Sequence, residues 1–267
     1  MGLDRREFLK IAGLTAAISL GGKTVFELLA PGEVDASIKG QPLTRAKRWG
    51  MVIDMKKMTD EIMDQCSKAC HKIHNVPDWG DPRVEIKWIW KEVYEHSFPG
   101  QGHDYQSEEL TVRNLPLLCN HCDNPPCCRV CPTKATWKRE SDGIVIVDPH
   151  RCIGCRFCMA GCPYGARSFN WGDPRKAPEK LNPGFPSNPD YPTRTKGVVE
   201  KCNFCAERIA DGLYPACVEA ANELEAGSMI FGDLEDYGSD VRKALRSRYA
   251  IRRKPELGTG PNIYYLV

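Results

Sequence analysis

The chain contains Cys152-Ile-Gly-Cys155-Arg-Phe-Cys158-Met-Ala-Gly-Cys162-Pro163, four thiols at intervals of two, two and three residues, closed by a proline. It is one part of an unusual cysteine count, 14 in 267 residues. A disulfide framework is the plain reading of so many cysteines, and the spacing argues against it. Three thiolates two residues apart can wrap one inorganic centre. A short helix then carries the fourth away toward a second centre, which is why such runs come in pairs.

The partner lies just upstream, Cys119-Asn-His-Cys122-Asp-Asn-Pro-Pro-Cys127-Cys128-Arg-Val-Cys131-Pro132. It too ends in Cys-x3-Cys-Pro, and Pro125-Pro126 keep its longer middle gap extended. The Cys-x2-Cys-x2-Cys-x3-Cys-Pro pattern is that of bacterial-type [4Fe–4S] ferredoxins. All-cysteine zinc sites are the alternative, and two interleaved Cys-Pro runs favour iron–sulfur. Exchange of fourth ligands gives Cys119, Cys122, Cys127 with Cys162 for one cluster, and Cys152, Cys155, Cys158 with Cys131 for a second. A third group, Cys202-Asn-Phe-Cys205 followed by Cys217, supplies three thiolates, and Cys70 is the candidate fourth. That set would tie the two ends of the chain together. Cys66 and Cys128 remain, read as a buried thiol and a small core filler.

Composition narrows the field. Lys and Arg number 37 against 35 Asp and Glu, a net charge of +2, which argues against nucleic acid as a partner held by bulk charge. A mean hydropathy of −0.44 excludes a multi-span membrane protein. Apolar residues at 42% exclude disorder. At the N-terminus, Arg5, Arg6, Phe8, Leu9 and Lys10 resemble the twin-arginine export signal, Arg-Arg-x-Phe-Leu-Lys. The uncharged stretch Ile11 to Gly22 is shorter than the roughly 20 residues a membrane span needs. Residues 1–36 are therefore expected to be a signal peptide, cleaved near Val34-Asp35-Ala36 or kept as an anchor. A basic amphipathic helix belonging to the folded protein is the alternative. Twin-arginine export carries folded proteins, often with a cofactor in place, and implies a periplasmic or extracytoplasmic location.

The order of signal, cysteine groups, Pro-Pro insert and C-terminal group resembles the exported four-cluster ferredoxin-type subunits of membrane oxidoreductases. These serve nitrite, polysulfide and thiosulfate reductases. Val52-Ile53-Asp54, Cys70-His-Lys-Ile-His-Asn-Val-Pro77, Ile86-Lys-Trp-Ile-Trp-Lys-Glu92 and Gly258-Thr-Gly-Pro261 look most like the DsrO group within that family. The resemblance covers about residues 45–267. It implies a tandem bacterial-ferredoxin-like α+β fold with pseudo-two-fold repeats and loop and strand insertions. It also implies an NrfD-like integral membrane quinone subunit, a multihaem cytochrome c and further subunits of a DsrMKJOP-type complex as partners. One departure matters. Where family members carry a fourth set of cysteines, this chain has Met58, Met63, Cys66 and Ala221. Three [4Fe–4S] clusters are expected rather than four, and a partner at that end must approach the Cys202 cluster directly.

Around the motifs, Met55 to His74 has helical character, Glu85 to Trp90 alternates like a strand, and Gly143 to Val147 reads as a hairpin strand. Residues 37–50 read as a basic linker opening a domain that runs from 37 to 267. Residues 170–197, with six prolines, read as a surface insertion, and Ser239 as the cap of a short helix through Arg248. Met55, Met58, Ile62 and Met63 read as core packing. His71, His74, His103 and His121 read as surface or hydrogen-bonding residues, and Arg242 to Arg253 as a solvated or docking face. Cys66-x3-Cys70-His71 loosely resembles a stretched haem attachment, at the expense of the third cluster. The residues show no Ser-His-Asp set and no phosphate loop, so no catalytic residue is expected. The expected role is an electron-transfer subunit, with a self-contained iron–sulfur reductase and an iron–sulfur sensor as rivals.

Overall fold

The computed structural model describes residues 46–181 and 187–267. The signal expected at 1–36 and most of the 37–50 linker lie outside the described residues. The strands are β1 (Trp49–Asp54), β2 (Ile89–Val93), β3 (Asn114–Leu118), β4 (Thr136–Lys138), β5 (Val145–Val147), β6 (Ser168–Phe169), β7 (Val199–Glu200), β8 (Met229–Asp233), β9 (Ala250–Ile251) and β10 (Ile263–Leu266). Among the helices, three reach eight residues: α1 (Asp60–His74), α2 (Ala216–Leu224) and α3 (Asp240–Ser247). No helix among the described residues is long and apolar enough to cross a membrane. Helices and strands mix throughout, as the α+β expectation requires.

The largest sheet has the order β8-β1-β10-β9. β1 runs parallel to β10, with Met51 opposite Ile263, and antiparallel to β8, with Met51 opposite Phe231. Every residue of β1 is buried, because apolar layers cover both faces of the sheet. On one face α3 packs Val241 and Ala244 against Val52, Ile230 and Leu266. On the other lies the main core, which takes in Met51, Ile53, Met63, Cys66, Leu117, Phe231 and Tyr265. The remaining strands form antiparallel pairs, β2 with β3, β4 with β5, and β6 with β7.

Helix α1 starts at Asp60, later than the 55–74 periodicity suggested. Thr59 is its N-cap and accepts a hydrogen bond from the Ile62 N–H at 3.3 Å, which fixes the first turn. Met55 and Met58 precede it and are buried all the same. Helix α3 follows the expected limits, with Ser239 accepting from the Arg242 N–H. The strand expected at 85–90 forms at 89–93 instead. Upstream of Ile89 the polar groups turn to side chains: the Lys87 N–H donates to Ser168 Oγ at 2.8 Å and Trp88 Nε1 to Glu200 at 2.7 Å.

The 170–197 insertion has no core cluster of its own among its described residues, yet it is anchored inward. Arg194 is buried, pairs with Glu200 and donates to the His74 carbonyl. Asn75 donates to the carbonyls of Asn188 and Tyr191 at 2.8 and 2.7 Å. The insertion is thereby strapped over the C-terminal end of α1.

Candidate iron–sulfur centres

Each Cys-Pro run places its third cysteine in a one-turn helix, Pro126–Arg129 for Cys127 and Phe157–Ala160 for Cys158. In both, the fourth cysteine follows two residues after the helix ends, and the two helices pack together. Glycine makes the close approaches feasible. A Cβ at Gly161 would meet Val130 Cγ2 at 3.1 Å, and one at Gly154, whose φ is +71°, would fall 2.3 Å from the Gly197 carbonyl oxygen.

The structure brings the last cysteine of each run beside the leading cysteines of the other. Cys119, Cys122 and Cys127 line a cavity together with Cys162 from the other run. Cys152, Cys155 and Cys158 line a second with Cys131. The third expected set also meets. Cys70 from α1 is buried with Cys202, Cys205 and Cys217, and its thiol is pushed well up by burial first and then by the neighbouring Cys205, Cys202 and Cys217. Burial and then Cys119 raise Cys202 to about 12, so the third set adjoins the first. Burial raises Cys158, and its neighbours Cys152 and Cys127 add to the effect, so the first adjoins the second. The three sets run in the order third, first, second.

Four buried thiols that suppress each other's ionisation cannot all be thiolates unless cations sit among them. Other polar groups also face inward without partners. Asn120 is 1% exposed and lines the first cavity, and neither of its amide atoms makes a hydrogen bond. This donor set fits an anionic, sulfur-bridged metal cluster. Backbone N–H groups already point at sulfur. Val199 N donates to Cys152 Sγ at 3.5 Å and Phe204 N to Cys202 Sγ at 3.4 Å. Burial opposes ionisation at Cys131, but the N–H groups of Thr136, Ala135 and Thr133 and the Thr133 hydroxyl hold its thiol below the usual range.

Two histidines take larger roles than the sequence suggested. His121, 1% exposed, stacks on Phe204 with ring centroids 3.7 Å apart. This pair sits inside two matching loops, Cys119-Asn-His-Cys122 and Cys202-Asn-Phe-Cys205, and each aromatic has a positive φ, 42° and 58°. His121 Nδ1 accepts from Val145 N at 3.1 Å. Burial, then Lys201 and Arg167, hold its pKa well below 6.5, so the ring is neutral. His74 lies 3.6 Å from Cys70 Sγ through Nδ1 and 2.7 Å from Glu207 through Nε2. His103 is exposed and His71 half-buried.

Cys128 packs against the small core of Cys127, Val145, Cys158 and Val199, as expected of a filler. It is half-buried, and a hydrogen bond with Cys127 makes Cys127 the more acidic thiol and Cys128 the less acidic. Cys66 is the buried thiol expected. It is fully enclosed, donates to the Cys217 carbonyl at 3.2 Å and lies 3.7 Å from Met229 Sδ. Burial raises it to about 12. Met58, Met63 and Ala221 belong to the same core cluster, each at most 3% exposed. That place holds two thioethers, a methyl group and the single thiol of Cys66.

Residues 110–177 match the 4Fe-4S dicluster domain family. The chain is 37% identical to the Hdr-like menaquinol oxidoreductase iron-sulfur subunit 1 of Archaeoglobus fulgidus, over 98% of this chain and 97% of that protein. It is 39% identical to the menaquinone reductase iron-sulfur cluster-binding subunit of Nitratidesulfovibrio vulgaris, over 82% and 88%. Protein NrfC of Escherichia coli is 32% identical over 99% and 95%. With the paired cysteine sets these matches decide the family: the chain belongs to the ferredoxin-type iron–sulfur subunits of oxidoreductase complexes, which transfer electrons and are not catalysts on their own.

Proposed function

We propose that this chain is an exported electron wire with three [4Fe–4S] clusters. It links a quinone-reactive membrane subunit of the NrfD-like type to a multihaem cytochrome c in a DsrMKJOP-type complex of sulfur or sulfate respiration. The observation that carries the reading is the pairing of Cys162 with the first run and Cys131 with the second, each completing a four-thiol cavity. Such a cluster takes up and releases one electron at a time with little rearrangement. The chain's own residues set its surroundings: Cys119, Cys122, Cys127 and Cys162 hold the first, Cys131, Cys152, Cys155 and Cys158 the second, and Cys70, Cys202, Cys205 and Cys217 the third. Their contiguous order supports relay across the subunit. The exposed Cys155 marks the surface end.

The menaquinol and menaquinone in the names of two relatives support a quinone-reactive partner. The motifs around Asp54, Cys70, Trp88 and Thr259 support the DsrO group, and the Arg5-Arg6 signal supports export to the outer face of the cytoplasmic membrane. Met58, Met63 and Ala221 support an end without a fourth cluster, where a partner haem approaches the Cys202 cluster directly. A complex with the haem remote from that cluster would contradict this arrangement.

The test is iron and acid-labile sulfide per chain on anaerobically purified protein, with EPR of the reduced sample. About 12 irons, three cubes of four, is the expected result. About 16 would overturn the three-cluster reading, and about 8 would remove the Cys70–Cys217 set.

A further inference from the structure

Arg167 is 5% exposed and lines the cavity of the first cysteine set. Its Nη1 donates to Thr136 Oγ1 at 3.1 Å, while Nη2 makes no hydrogen bond in the protein. Among the described residues it has no carboxylate partner, unlike Arg194, which is as deeply buried and pairs with Glu200. A guanidinium withdrawn from water without a counter-charge is strongly disfavoured. Its surroundings supply that charge as sulfur: Cys127 and Cys119 from the first set and Cys158 from the second. A guanidinium keeps its proton throughout the pH range in which proteins work, so the cation is permanent.

We propose that Arg167 is a fixed positive charge shared by the first two clusters, and that it makes both easier to reduce. It lines the first cavity beside Cys127 and donates to Thr136, which lines the second beside Cys158, so its field acts on both sites at once. Adding an electron makes a cluster more negative, and a nearby cation in a poorly screened interior favours that state. Cys127 and Cys158 are contributed by opposite runs, so one side chain raises the two potentials together. Arg167 is not among the groups that act on the thiols of the third set, which serves as the internal control.

This inference rests on the cluster assignment proposed above. EPR-monitored redox titration of the loaded wild type, Arg167→Gln and Arg167→Lys separates the two. In R167Q, two of the three midpoints fall, each by about a tenfold loss in the reduction equilibrium, or about 59 mV for one electron. The third stays, and R167K stays nearer the wild type. A wild type lacking the first two clusters overturns the assignment itself. Clusters present, with neither midpoint or only one moving in R167Q, overturn the inference alone. Should R167Q lose its iron, the wild type labelled with guanidino-15N arginine decides. Nitrogen hyperfine coupling in the EPR signals of both clusters, absent from R167K, supports the proposal, and its absence from either signal overturns it.

Discussion

Met63 sits on α1 with 2% of its surface exposed, one of a cluster of buried sulfur-bearing side chains where the family resemblance implies ligands. Methionine fills irregular space readily, so the site is closed by packing rather than left hollow. Met63→Ala should lower unfolding free energy by about 2–5 kcal/mol, read by denaturant titration, with iron content unchanged. The reverse experiment is more telling. Met58→Cys, Met63→Cys and Ala221→Cys together with native Cys66 restore four thiols, and iron per chain should rise by about 4. No rise would mean that these positions no longer enclose a cluster-sized space. At this scale the sequence exposed the cysteines, because ligand spacing is local and rigid. It did not expose Asn120, Arg167 or the burial of His121. A single polar residue has no period, and its inward orientation depends on contacts distant in the chain, such as the stacking of His121 on Phe204.

Among the elements, α1 bears the heaviest duty, since Cys66, Cys70 and His74 project from it toward α2 and the Cys202 loop. Thr59→Ala removes its N-cap and should cost about 1 kcal/mol in thermal or denaturant unfolding. The strap over its C-terminal end is more demanding. Arg194 and Glu200 pair at 6% and 5% exposure, and Arg194→Met leaves the carboxylate buried without its cation. A loss of roughly 3–5 kcal/mol is expected, and iron should be lost from the Cys70 set before the other two. Helices α1 and α3 were readable because caps and periodicity are local signals. The start of β2 was not, because Trp88 and Lys87 answer to Glu200 and Ser168, far along the chain. The inward anchoring of the 170–197 segment was hidden for the same reason. Its prolines read as surface, and Arg194 reaches the interior only once α1 is in place.

Across the whole molecule, the sheet β8-β1-β10-β9 joins segments from both ends of the described chain, and the Cys70 set does the same. The sequence pointed to the second junction through cysteine arithmetic and missed the first, since parallel pairing of β1 with β10 leaves no local mark. Removing residues 262–267 takes away the strand between β1 and β9. Such a chain should fail to accumulate as soluble, iron-loaded protein, whereas Val267→Ala alone should leave yield and iron content unchanged.

The parallel neighbour of β1 has a bearing on how the protein is made. Chains leave the ribosome N-terminal part first, so β1 emerges long before β10 exists to lie beside it. During that interval the nascent chain presents an apolar strand with an open edge, a template for mispairing. Cys70 likewise waits, uncovered, for Cys202, Cys205 and Cys217. The sheet cannot close until β10 has been made, nor the third cysteine set until Cys217 has. The order of synthesis therefore leaves the first-made strand and the first-made thiol of that set exposed longest.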